Sequence, residues 1–146
     1  MTAADTTDRV CTFYLDGRYF GVGVDVVQEV IRYQHLTRVP LAPREIRGLI
    51  NLRGQIVTAL DLRRRLGLPD RPAGRNPMNV VVRSPDGAVS LLVDEIADIL
   101  TVPADAHEPP PDALRGPARE LIRGAVKLDD KLLLLLNTDQ VLAVSH

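Results

Sequence analysis

Few of the residues able to do chemistry stand where chemistry needs them. Cys11 is the only cysteine, and no histidine is placed by the sequence to activate its thiol. A free cysteine inside a strand pattern is most often a buried structural residue, and that is the expectation for Cys11. His35, His107 and His146 lie far apart in different contexts. No His or Cys pair has metal-ligand spacing, so no metal site is assigned. Gly21-Val22-Gly23 lacks the third glycine and the following helix of a dinucleotide site, and reads as strand glycines where another backbone passes closely. Asp94, Glu95 and Asp98 suggest acid-base work, but carboxylates this close in sequence usually line a solvated face. Arg63-Arg64-Arg65 is the one concentrated positive run, and Arg44, Arg47 and Arg53 could extend it into a basic patch. No catalytic constellation or cofactor site emerges, and the expectation is a protein that is not an enzyme.

Bulk composition narrows the partners. The 146 residues suit one ordinary domain, or two small β units sharing a core, and the apolar fraction of 45% is enough to build that core. A net charge of -1 offers no global positive field for nucleic acid or an anionic membrane. With only 3% aromatic residues and no Trp, the stacking platform of a single-strand-binding barrel is also missing. A lone cysteine fits a reducing compartment, and Thr2 to Asp8 lack the basic start and apolar stretch of a leader, so the expected location is the cytoplasm. The apolar run Leu132 to Leu136 is far short of the roughly 20 residues that span a bilayer, and no direct membrane insertion is expected.

The elements that must carry these residues are mainly strands. Val10 to Leu15 and Tyr19 to Val24 flank Asp16-Gly17, and Val80 to Arg83 and Ala88 to Val93 flank Ser84-Pro85-Asp86-Gly87, which predicts two hairpins with Gly17 and Gly87 at positive φ. After each hairpin comes an acidic-apolar segment, Asp25 to Val30 and Asp94 to Ile99, and then Val-Pro at Val39-Pro40 and Val102-Pro103. Ile46-Arg47-Gly48 and Ile122-Arg123-Gly124 follow, and the spacing from Gly48 to Asp61 equals that from Gly124 to Asn137. The halves therefore align with one insertion between Pro103 and Ile122, whose Pro109-Pro110-Pro111, Gly116 and Pro117 predict a surface loop. Duplication is the simplest explanation. Short helices are expected after Asp61 and Asn137, each of which suits an N-cap.

Arg47-Gly48-Leu49-Ile50-Asn51-Leu52-Arg53-Gly54-Gln55-Ile56-Val57, followed by Asp61-Leu62-Arg63, is the most specific stretch of the chain. With Phe13-Tyr14-Leu15, Val27-Gln28-Glu29-Val30, Val39 to Pro43, Leu92-Val93-Asp94 and Gly124 to Leu128 in the same order, residues 10–143 resemble the CheW family, the coupling proteins of bacterial chemotaxis arrays. The chain departs from the family at Thr58-Ala59, where proline is frequent at the position of Thr58. The resemblance implies an all-β fold of two SH3-like five-stranded β-barrels, pseudo-duplicated around a shared apolar core, with short helices. The approximate barrel cores are residues 10–66 and 78–136, with the exchange of strands between them left open.

The resemblance also implies a non-catalytic adaptor or scaffold, working in the cytoplasm at membrane-associated receptor arrays. Its partners would be the regulatory domain of a CheA-type histidine kinase and the cytoplasmic hairpin tip of a methyl-accepting chemoreceptor. Val27, Glu29, Ile31, Arg53 and Gly54 are the receptor-binding or coupling residues by this resemblance, against a reading of Val27 and Ile31 as plain packing. The lesser alternative for Arg53 is a solvated surface arginine, or a local salt bridge with Glu29 or Asp61. Kinase-binding residues fall on an edge of the second-half barrel and are not assigned individually. The alternative is a small β-barrel that binds nucleic acid through the Arg63–Arg65 cluster, for which binding would fall steeply with salt.

Overall fold

The computed structural model describes residues 7–144; residues 2–6 of the expected leaderless start and His146 lie outside the described residues. The first hairpin joins β1 (Thr7–Leu15) to β2 (Arg18–Gly23), with Leu15 facing Arg18 across a two-residue turn. Asp16 and Gly17 sit at φ 52° and 76° in that turn, the left-handed pair that matches the twist of the flanking strands. β3 (Val27–Ile31), β4 (Ile46–Leu52), β5 (Gln55–Asp61) and the one-turn helix α1 (Leu62–Arg65) complete the first half. The second half runs β6 (Met78–Val82), β7 (Val89–Val93), β8 (Glu95–Pro103), β9 (His107–Glu108), α2 (Pro117–Leu121), β10 (Ile122–Lys127), β11 (Leu132–Leu136) and α3 (Thr138–Leu142). Gly87 lies at φ 117° between β6 and β7, as the hairpin pattern predicts.

The internal repeat extends to an irregularity in the ladders. Ile46 faces Leu60 and Gly48 faces Ala59, leaving Arg47 as an extra residue; Ile122 faces Leu136 and Gly124 faces Leu135, leaving Arg123 as its equivalent. A bulge of this kind sharpens strand twist, and it falls at the same motif position in both halves. Each bulged hairpin then runs into a capped helix. The Asp61 side chain accepts the amides of Arg63 and Arg64 at 3.0 and 3.4 Å, and that of Asn137 accepts the Gln140 amide at 3.2 Å.

The fold is mostly β, with two sheets and a few short helices. One sheet has six strands in the order β8-β1-β2-β11-β10-β9, and the other five in the order β3-β6-β7-β5-β4. The sixth strand is the two-residue β9, contributed by the insertion. Each sheet draws on both halves of the chain. The strand after each hairpin crosses over, β3 pairing with β6 and β8 with β1, and β5 and β11 lie parallel to β7 and β2 of the opposite half. The five-stranded sheet curls until its edges meet, since the chain leaving β3 brings Thr37 against Leu49 of β4, where the two residues exchange backbone hydrogen bonds of 2.8 Å. Gly48 permits this approach, because a Cβ there would overlap the Thr37 carbonyl oxygen. Thr58 leaves β5 regular, in ladder with Leu49 on one side and Val89 on the other.

Three apolar clusters follow from strand alternation. Phe13, Leu15, Phe20, Val22, Leu134 and Leu136 of the first sheet meet Val80, Val82, Leu91 and Val93 of the second in a shared core. The opposite faces of the same strands fill two flanking clusters, Val10, Leu133 and Leu135 in one and Val81, Leu92 and Ile50 in the other. This explains why Leu132–Leu136 reads as an unbroken apolar run, since strands covered on both faces lose the polar alternation. Cys11 is buried in the shared core, where desolvation pushes its thiol pKa up.

Two expectations need correction. The insertion is not loop throughout, because Pro117 opens α2, where a missing amide costs nothing at the first helical position. Gly21 faces the side chains of Val10 and Leu133 as well as the Cys11 carbonyl, so the close backbone approach expected there is mainly a side-chain one. Among the described residues no helix is long and apolar enough to cross a membrane.

Candidate functional site

The turn between β4 and β5 is built by Arg53 and Gly54 at φ 52° and 84°, with Leu52 facing Gln55. Asn51 holds it, its Oδ1 accepting the Gly54 amide at 2.8 Å. The Arg53 guanidinium leaves this turn and pairs with the Glu29 carboxylate on β3. Because β3 and β4 are the two edges of the curled sheet, the pair lies where the sheet closes on itself. Arg53 is 71% exposed and Glu29 19%, so the arginine remains open to an incoming acceptor while the carboxylate orients it.

Val27 and Ile31 flank Glu29 on β3 and are partly buried, Val27 against the shared core and Ile31 against the flanking cluster of Ile50 and Leu92. They therefore have packing roles of their own. The exposed apolar residues of this region are others, Val30 on β3 at 38% and Ile56 on β5 at 62%. Ile56 faces Asn51 across the hairpin, between the buried positions of that strand pair. Strand alternation could have found it, because Ile50 and Leu52 are buried and Asn51 between them points out, which sends Ile56 out as well.

The triple arginine does not form the basic patch. Arg63 is buried and donates to Asp94 through Nε at 3.0 Å and Nη2 at 2.5 Å, and through Nη1 to the Pro69 carbonyl at 3.0 Å. Arg64 pairs with Asp70 at 3.1 Å and donates to the Arg44 carbonyl. Arg65 caps the end of α3, donating to the carbonyls of Val141, Gln140 and Ala143 at 2.9, 2.7 and 3.2 Å. Arg47 is tied to the buried Asp61 at 3.2 Å. Internal partners thus consume the cluster on which the nucleic-acid alternative rested, and that alternative finds no support.

Asp94 departs from the solvated face expected of it, whereas Glu95 and Asp98 are exposed. It accepts from Arg63, from the Asp16 amide at 2.8 Å and from Arg71 Nε at 2.9 Å. Burial raises its pKa, but the Arg63 hydrogen bonds, the Asp16 amide and the charges of Arg71 and Arg63 together outweigh this and hold it below the ordinary carboxylate value.

The geometry is that of a double sheet with a polar turn and exposed apolar residues beside it, and known proteins share the fold. Residues 9–146 match the model of the CheW-like domain. The chain is 31% identical over 143 residues to the chemotaxis protein CheW of Bacillus subtilis, covering 97% of this chain and 92% of that one. It is 30% identical over 133 residues to the chemotaxis protein CheW of Rhizobium meliloti, covering 91% and 86%. The crystal structure of the scaffolding protein TtCheW from Thermoanaerobacter tengcongensis superposes with a TM-score of 0.83 at 26% identity over 94% of both chains. A shared fold, a matching family model and near-complete coverage point the same way, and the chain belongs to the CheW-like family.

Proposed function

We propose that this chain is the coupling scaffold of a chemotaxis-type pathway, joining the cytoplasmic hairpin tip of a methyl-accepting chemoreceptor to the regulatory domain of a CheA-type histidine kinase. It acts in the cytoplasm, is held at membrane-associated arrays by its partners, and performs no chemistry of its own. The observation that carries the receptor side is the Arg53–Glu29 pair at the closure of the five-stranded sheet. A guanidinium on a two-residue turn, steered by one carboxylate and still largely exposed, is pre-positioned to meet a carboxylate or the open carbonyls of a docked helix hairpin. Val27, Ile31 and Gly54 support it by setting the strand and turn geometry, and Val30 and Ile56 add apolar area beside it. The kinase side is an edge of the second-half strands, where unpaired backbone groups beside apolar residues favour strand-on-strand docking; β8, with Ile99 54% exposed, is such an edge.

Calorimetry of the full chain against the regulatory domain of the host's own CheA-type kinase tests the scaffold role. One-to-one binding near micromolar affinity, about 8 kcal/mol, is expected, as for many transient signalling contacts. Two folded partners giving no heat at high micromolar concentration would overturn it.

A further inference from the structure

A second site lies away from Arg53, in a cavity of about 400 Å³ between the Asp16-Gly17 turn, the start of β8 and the segment linking α1 to β6. Two guanidinium groups form its floor, with side chains only 8% exposed for Arg63 and 6% for Arg71. One carboxylate, Asp94, serves both. Its Oδ1 takes Nε of Arg63 and Nε of Arg71, and its Oδ2 takes Nη2 of Arg63 and the Asp16 amide. Four donors on two oxygens leave Asp94 no lone pair to offer.

Arg63 spends its remaining Nη1 on the carbonyls of Pro69 and Asp70. Arg71 has no such outlet among the described residues, where its Nη2 is buried without a hydrogen-bond partner. The floor therefore holds two buried positive charges against one buried negative charge, with the Arg71 Nη2 donors unspent. Asp16, the next nearest carboxylate, approaches Arg63 only to 3.9 Å and is 38% exposed. At the mouth, Arg75 and Asn76 offer further donors beside the exposed Glu95. A buried guanidinium donor left unmet is costly, and an incoming acceptor would relieve that cost.

We propose that this cavity binds a small free oxyanion of the phosphate or carboxylate class, held by the Arg71 guanidinium at the floor and by Arg75 at the mouth. An oxyanion fits better than a halide because a guanidinium fork presents paired, coplanar donors. The site is separate from the Arg53 turn, so it does not depend on the receptor reading.

The test is thermal unfolding of the full chain in inorganic phosphate or acetate against sodium chloride of equal ionic strength, with an arm in tetraglutamate peptide. Phosphate at about 50 mM should raise the midpoint by a few degrees beyond chloride, as a ligand bound only by the folded state must. Arg71→Met should abolish that rise. Arg75→Gln, at the exposed mouth, should fold as the parent does and weaken the response several-fold, and Arg119→Gln, on exposed α2, should leave it intact. In the unaltered chain, phosphate should move the Arg71 Nε–H resonance and not that of Arg119. An equal response to chloride, an undiminished response in both Arg71→Met and Arg75→Gln, or a response to the peptide alone overturns the proposal.

Discussion

At Arg53 the ion pair is wet, with the guanidinium 71% exposed, and exposed pairs contribute about 0 to 1 kcal/mol. Arg53→Ala should accordingly shift the urea midpoint by an amount worth less than about 0.5 kcal/mol. Receptor-dependent kinase activation in a reconstituted assay should nevertheless fall at least tenfold, and a variant that activates as well as the parent would make Arg53 idle. Asp94 is the opposite case, because its carboxylate is 16% exposed and holds two buried arginines. Asp94→Asn should cost about 3 kcal/mol or more at neutral pH, since it leaves buried charge uncompensated. The pH dependence has a definite sign. The unfolded carboxyl titrates near about 3.9 and the folded one lower, so the unfolded chain takes up the proton first as pH falls. The difference between parent and variant should be whole above about pH 4 and shrink as pH drops through the depressed folded value. Chemical denaturation from pH 7 to pH 3 measures it, and a constant difference would exclude the assigned role.

Among the elements, the hairpin turns and the sheet closure carry the sharpest requirements. Gly17 sits at φ 76° in open space, so Gly17→Val pays mainly backbone strain, about 1 kcal/mol or more by unfolding midpoint. Gly48→Ala meets the Thr37 carbonyl instead and must push the closing strand off β4. It should destabilise by roughly 1 to 3 kcal/mol and speed exchange of the Thr37 and Leu49 amides, where a merely surface glycine would leave both slow. These features also mark what the sequence could tell. Asp16-Gly17, the Gly87 turn and the caps at Asp61 and Asn137 are local, so their residue types betray them, whereas the repeated Ile-Arg-Gly motif shows the equivalence of the halves and not the bulges at Arg47 and Arg123. The closure of the Arg53–Glu29 pair could be anticipated only as one option among several, because 24 residues separate the partners. Arg65 meets carbonyls up to 78 residues away and Arg63 meets a carboxylate 31 away, and no pattern in three adjacent arginines reveals such acceptors.

Over the whole molecule, the crossing of β3 and β8 and the parallel pairs β5–β7 and β2–β11 mean that neither half owns a complete sheet. Cleaving the chain in the exposed segment around Gly74 should give two fragments that each lack a cooperative unfolding transition and regain the β-type circular dichroism of the parent when mixed. Fragments that fold separately would contradict the interleaved topology. The same interleaving has a consequence for copy number in the cell. Two unlinked halves would assemble as a pair whose occupancy follows their concentration, so a sparse population would stand partly unassembled. Joined through one short connection, each half meets the other at an effective concentration on the order of millimolar, whatever the number of molecules present. A cell can thin or thicken its stock of such a scaffold without changing the fraction that is fit for use.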